Sequence, residues 1–181
     1  MGTIDKPVRL NLGCGTNHLE NFVNVDKYGK VDYAHDLEVF PYPWDDNSVD
    51  EVVMNHVLEH IQPWWKAFNE CARVLKPGGM LHINVPDESS KTALTYRDHH
   101  HVFSLISFHG IQGRGAGTNA WAMSEVDSVP LVLEDYRQVP HKQYNWMVKW
   151  CPWLLLFCAN HMRNFIHEQR FVFRKIGERD E

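Results

Sequence analysis

The chain has 181 residues and a mass of 21.2 kDa, with 44% hydrophobic and 23% charged residues; these proportions suit one globular domain and exclude a disordered or fibrous chain. Eighteen Lys and Arg against 23 Asp and Glu leave a formal net charge of −5, so no general positive field gathers phosphates and nucleic acid is disfavoured as a partner. The four scattered cysteines, Cys14, Cys71, Cys151 and Cys158, form no Cys-x-x-Cys pair and no disulfide framework, which points to a reducing, cytoplasmic setting.

The first residues, Met1 to Pro7, hold no apolar signal core. The longest apolar stretch free of formal charge, Trp150 to Met162, is 13 residues broken by Pro152, against the roughly 20 that cross a bilayer, so no transmembrane segment is expected.

Val8 to Leu12 is an apolar run ending in Gly13-Cys14-Gly15, the pattern of a buried strand delivered into a glycine turn. Asn21 to Asp26 and Tyr33 to Leu37 read as two further strands. Turn formers from Pro41 to Ser48 precede a fourth, Val49 to Asn55. From Pro63 to Leu75, Trp64, Trp65, Phe68, Cys71, Ala72 and Leu75 fall at helical spacing, and Lys76-Pro77-Gly78-Gly79 stops that helix. Leu81, Ile83 and Val85 alternate with His82 and Asn84 in a fifth strand. Strand, helix, strand in this order predicts an α/β fold on a mainly parallel sheet with right-handed crossovers.

Further on, Ser89 to Tyr96 reads as helical, an apolar segment ends at Phe108, and Gly110 to Gly117 reads as a mobile surface loop. Leu131 to Tyr136 and Phe171 to Ile176 are late strands flanking an aromatic segment, Tyr144 to Ile166. One domain is expected, with residues 1–108 as its cofactor-binding core and 109–181 as an elaborated acceptor side or lid.

Glycines at the carboxyl end of a parallel strand let main chain approach a ligand, and an acid ending the next strand, Asp26, can accept bonds from a ribose diol. A nucleoside-containing cofactor follows. A dinucleotide is disfavoured, because His18 stands where the third glycine belongs and Asp26 follows Gly15 by 11 residues, not by about 20.

These residues, with Leu10 to Gly15, Asn24-Val25-Asp26, His35-Asp36-Leu37, Asp46 to Asp50, His56-Val57-Leu58-Glu59-His60 and Arg73 to Gly79, resemble the class I S-adenosylmethionine-dependent methyltransferases, in the small branch related to the methyltransferase type 11 group. The resemblance covers roughly residues 8 to 108. It implies a Rossmann-like sheet with an antiparallel strand near the C-terminus, and S-adenosylmethionine as cofactor. Gly13, Cys14 and Gly15 would pass under its methionine part, with Asn11 offering an amide where many members carry an acid. Asp26 would hold the ribose, with Lys27 beside it, and Asp36 and Leu37 would meet the adenine. Asn55 and His56 would border the methyl-transfer side, with His60 completing the cofactor set. Only six residues, Thr16 to Asn21, remain for the first crossover, against ~10 or more for an ordinary one, so the first helix is expected to shrink to a turn or a loop and leave that flank thinly covered and open to a homodimer or partner.

Methyl transfer needs alignment and, for a hydroxyl or ammonium acceptor, a base. His56, Asp87, His99 and His101 are the candidates. No metal is expected, since neighbours in the run His99-His100-His101 point to alternate faces. The expected activity is methyl transfer to an oxygen or nitrogen of a small or sugar-containing molecule. A protein or nucleic-acid methyltransferase and a noncatalytic cofactor-binding module stay open beside it. Core packing is the ordinary role for the aromatic C-terminal segment, with a lid, a homodimer or partner face, or a peripheral membrane contact as its alternatives.

Overall fold

The structure is a computed structural model that describes residues 6–111 and 129–177; residues 112–117 of the expected glycine loop lie outside this set. Seven strands, β1 (Arg9–Leu12), β2 (Val23–Asp26), β3 (Tyr33–Ala34), β4 (Val49–Asn55), β5 (Leu75–Pro86), β6 (Leu131–Pro140) and β7 (Ile166–Lys175), form one sheet in the order β3-β2-β1-β4-β5-β7-β6. The pairs among β1 to β5 are parallel, and β7 runs antiparallel between β5 and β6. Among the described residues, four α-helices accompany them: α1 (Trp64–Val74), α2 (Lys91–Thr95), α3 (Asn145–Trp150) and α4 (Pro152–His161).

The two faces of the sheet differ because its strands alternate in polarity. Leu10, Leu12, Val25, Val52, Met54, Leu81, Ile83, Phe171 and Phe173 share one face and are wholly buried. Helix α1 covers that face with Trp64, Ala67, Phe68 and Cys71. The contact is largely aromatic: Phe68 meets Phe173 edge-on at 5.4 Å, and Trp64 meets Phe103 edge-on at 5.2 Å.

The opposite face carries Arg9, Asn11, Glu51, His82 and Arg174, tied by ion pairs such as Arg9 to Glu51 and His82 to Glu51, both at 3.3 Å. No helix joins β1 to β2, β2 to β3 or β3 to β4. Two asparagines hold the first crossover in place of a helix. Asn11 and Asn24 stand side by side in register, and Asn24 Oδ1 accepts from Asn11 Nδ2 at 2.9 Å and from Leu19 N at 2.8 Å. Asn24 Nδ2 donates to Leu19 O and Asp32, and Asn11 Nδ2 also donates to Asn17 O. A loop leaves main-chain groups unpaired that a helix would satisfy internally, and these side chains supply the partners. The Asn24 backbone N–H, which donates to Asp32 Oδ2 at 2.9 Å, and then the Asn24 side chain hold the Asp32 carboxyl below the usual carboxylate range.

Four strands differ in their boundaries from the sequence reading. Strand β5 begins at Leu75, so Lys76 to Gly79 belong to it rather than to a separate turn; they form an irregularity where Val49 pairs with Leu75 but Glu51 pairs with Met80. Gly78 takes a left-handed φ of +82° there, and Lys76 Nζ bonds both Asp50 oxygens at 2.8 and 2.9 Å. β3 keeps only two residues. β7 starts at Ile166, five residues before the expected strand, and β6 runs on to Pro140.

Candidate active site

Parallel strands deliver their carboxyl ends to one edge of the sheet, and an open cleft of about 230 Å³ lies there. Gly13, the first residue after β1, lines it in the left-handed region at φ +66°. A Cβ at this position would stand 2.5 Å from a Val57 methyl, so only glycine lets the two segments approach. Asp26 ends β2 and also lines the cleft; its carboxylate accepts from Gly15 N at 2.9 Å and Tyr28 N at 3.1 Å. Lys27, Asp36 and Leu37 continue the wall, with Lys27 Nζ 3.9 Å from Asp36 Oδ2. His56, directly after β4, closes the other side in a left-handed conformation at φ +53°, together with His60. His35, Glu38, Val57 and Ile61 complete the lining and were not anticipated from sequence.

Four of the residues expected around the cofactor are placed elsewhere. Asn11 is spent on the crossover loop, as described above. Cys14 is buried, its N–H bonded to Val25 O, and burial followed by the neighbouring Asp26 pushes its thiol up. Gly15 contributes its N–H to Asp26. Asn55 lies on the polar sheet face and accepts a bond from Asn84 Nδ2.

The acceptor-side candidates also part company. Asp87 is 2% exposed, and one of its oxygens accepts from Ser89 N and Oγ, at 2.8 and 2.6 Å, so it caps a turn. His100 and His101 dock on the 3₁₀ turn Leu58–His60 through bonds to Glu59 O. Burial lowers the pKa of His101 and leaves its Nε2 without a partner. His99 stacks on Tyr96 and lies edge-on to His60 with ring centroids 4.7 Å apart. The donor atoms of Glu59, His60 and His99 come within 4.8 Å of one another, a grouping that a reading of the histidine run alone misses.

His56 has the most distinctive surroundings. Its Nε2 lies 2.9 Å from Glu168 Oε2 and its Nδ1 3.4 Å from Glu59 Oε1. The bond to Glu168, then the one to Glu59, raises its pKa to about 9, while the His56 contact, with Arg170, holds Glu168 down at about 2. The ring is therefore a cation at neutral pH, flanked by two carboxylates, and does not accept protons there. His167 stands beside it, with ring centroids 6.2 Å apart, and 4.8 Å from His141. Burial first, then His141, lowers the pKa of His167, so that imidazole is neutral. Glu168, His167 and His141 went unnoticed in the sequence because the strand bearing the first two was expected to begin at Phe171.

These residues fit a nucleoside cofactor: a glycine cradle with no room for Cβ, carboxylates ending or following two adjacent strands, and in the same wall His35 with a buried Nε2 lacking a partner. Comparison with known proteins agrees. A methyltransferase domain family matches residues 20–83. A Mycolicibacterium smegmatis protein described as a probable S-adenosylmethionine-dependent methyltransferase is 40% identical over 62 residues, 34% of this chain and 23% of that protein. The matches span about a quarter of the curated relatives' own length. Among solved structures, an S-adenosylmethionine-dependent methyltransferase from Archaeoglobus fulgidus superposes with a TM-score of 0.61 at 14% identity, over 94% of this chain and 87% of that one. The Burkholderia thailandensis 1,6-didemethyltoxoflavin-N1-methyltransferase gives 0.58 at 13% identity, over 95% and 72%.

Strand order, glycine turn and the domain match over residues 20–83 make the chain similar to the class I S-adenosylmethionine-dependent methyltransferases.

Proposed function

We propose that the chain transfers a methyl group to an oxygen or nitrogen of a small-molecule acceptor, with residues 1–108 holding the cofactor, the later part of one domain shaping the acceptor side, and a reducing cytoplasmic compartment as its setting. The observation that carries the reading is the meeting of Gly13, Asp26, Asp36 and Leu37, from the ends of three adjacent parallel strands and the loop after the third, on one cleft. Asp26 would receive the ribose hydroxyls, Asp36 and Leu37 the base, and the main chain at Gly13 the methionine part. Lys27 borders the ribose end, and His56 and His60 the reactive end. When bound, the cofactor supplies a methyl group made electrophilic by its sulfonium.

The protein's own contribution is position and proton handling. The His56 imidazolium, fixed by Glu59 and Glu168, sets the wall of the acceptor side. Neutral His167 beside it is the group able to take a proton from a hydroxyl or ammonium acceptor. The Burkholderia neighbour is named as an N1-methyltransferase of 1,6-didemethyltoxoflavin, and the chain's net charge of −5 also favours small acceptors over nucleic acid. Titration calorimetry with S-adenosylmethionine and its demethylated product tests the first step, with binding of both expected. Supplying cell metabolites and detecting the demethylated product tests the second; binding without turnover on any extract would leave a cofactor-binding module instead.

A further inference from the structure

The helical hairpin between β6 and β7 has a face that methyl transfer does not use. Helices α3 and α4 meet around Met147, Cys158 and Phe165, with Leu154 and Leu155 packed against them. Their other sides carry Trp146, Trp150, Trp153, Leu156, Phe157 and Met162, each more than half exposed. A surface helix normally turns polar residues outward, yet α4, with the sequence Pro-Trp-Leu-Leu-Leu-Phe-Cys-Ala-Asn-His, is apolar on both sides.

Charge on the same segment identifies what covers this face. From Tyr136 to His167 the chain has Arg137, Lys142, Lys149 and Arg163 and no Asp or Glu, within a protein of net charge −5. Lys149 and Arg163 are exposed, and the Lys149 ammonium sits over the Trp150 ring at 5.2 Å. Tryptophan with Lys and Arg around an apolar ridge suits the boundary between lipid headgroups and acyl chains. A second copy would set this positive hairpin against its own like charge. At 1.5 Å per residue α4 is ~15 Å long, half the ~30 Å of a hydrocarbon core, and among the described residues no helix is long and apolar enough to cross a membrane. The geometry suits lying on a bilayer.

We propose that the α3–α4 hairpin docks the protein on an anionic lipid bilayer, with the tryptophans at headgroup level, Leu156 and Phe157 reaching the acyl chains, and Lys149 and Arg163 on the phosphates. Its base is closed by His141 N to Phe165 O and tied to the turn after β5 by Asn164 N to Ser89 O, and β7 begins opposite the carboxyl end of β5, where Glu168 pairs with Pro86. The hairpin thus rises from the edge of the sheet that bears His56. Docking presents that edge to the bilayer and suits an amphiphilic acceptor, a consequence that rests on the methyl-transfer reading as the docking itself does not.

The test is co-sedimentation of the full chain with vesicles of phosphatidylcholine alone or rich in phosphatidylglycerol, with tryptophan emission recorded alongside. Binding to the anionic vesicles with a blue shift, weakened by salt, is expected. A Trp150→Ser, Trp153→Ser, Phe157→Ser variant and a Lys149→Gln, Arg163→Gln variant should each bind about tenfold more weakly or less, with unchanged circular dichroism and unchanged affinity for the demethylated cofactor. No binding to anionic vesicles, binding as tight as the wild type by either variant, or a dimer in solution that the aromatic variant dissociates would overturn the proposal. Because vesicle binding is read without any methyl acceptor, it stands or falls apart from the activity.

Discussion

Replacing Glu168 by Gln isolates the electrostatics of the His56 site, since it removes one charge while keeping the shape and an acceptor oxygen. The His56 pKa of about 9, against an ordinary 6.5, is owed first to Glu168 and second to Glu59. With Glu168 neutral, it should fall part of the way back towards 6.5, because Glu59 remains beside the ring. The sign of the stability effect follows. A raised histidine pKa stabilises fully below 6.5, and this contribution is lost as pH rises through about 9. The partner's lowered pKa stabilises above 4.5, and this is lost as pH falls through about 2. At about 1.4 kcal/mol for each pH unit, the rise would be worth at most about 3 kcal/mol. The His56 side chain is 40% exposed, so solvent screening reduces this to about 1–2 kcal/mol. Urea unfolding at pH 6 and pH 10 measures it: the wild type should lose about that much over the interval and Glu168→Gln only the smaller share owed to Glu59, and the His56 Cε1 proton should titrate with the lower pKa in the variant. Identical His56 titration in the two proteins would refute the arrangement.

Three further outcomes are expected. Asp26→Ala should weaken binding of the demethylated cofactor by about 1.5–3 kcal/mol in calorimetry if its carboxylate receives the ribose; unchanged affinity would remove that role. Gly13→Ala should destabilise by about 2–3 kcal/mol in urea unfolding, from the left-handed backbone plus the clash with Val57, whereas Gly15→Ala, with open space around its Cβ, should cost about 1–2; equal costs would show the Val57 contact to be immaterial. Asn24→Ala should lower stability by about 2–3 kcal/mol, because several loop groups lose their partners together, and hydrogen exchange at Leu19 N–H should accelerate; an unchanged rate there would show that the loop is held by other contacts.

The parallel core was legible in the sequence because each of its strands buries one face. Leu81, Ile83 and Val85 announce that face, and the acids and glycines after successive strands announce the cleft. What escaped depends on pairing across distance. His56 and Glu168 are 112 residues apart, and only the antiparallel ladder of β5 with β7 brings them together. Leu75 to Gly79 looked like a stop signal, since proline and paired glycines usually are; opposite β4 they instead form an irregularity clamped by the Lys76 to Asp50 bonds.

The site's misplaced members share one cause. Asn11 and Asn55 lie within strands and project from the polar face, whereas Gly13 and His56, one residue past β1 and β4, take the left-handed turn and line the cleft. A motif identifies the neighbourhood, but the last extended residue decides which side chains leave the sheet for the ligand. In a sheet whose first three crossovers carry no helix, side chains on the polar face stabilise loops instead. Asn11 beside Asn24 does so, and substituting either should disturb the glycine turn by way of the crossover before it alters any contact to a bound cofactor.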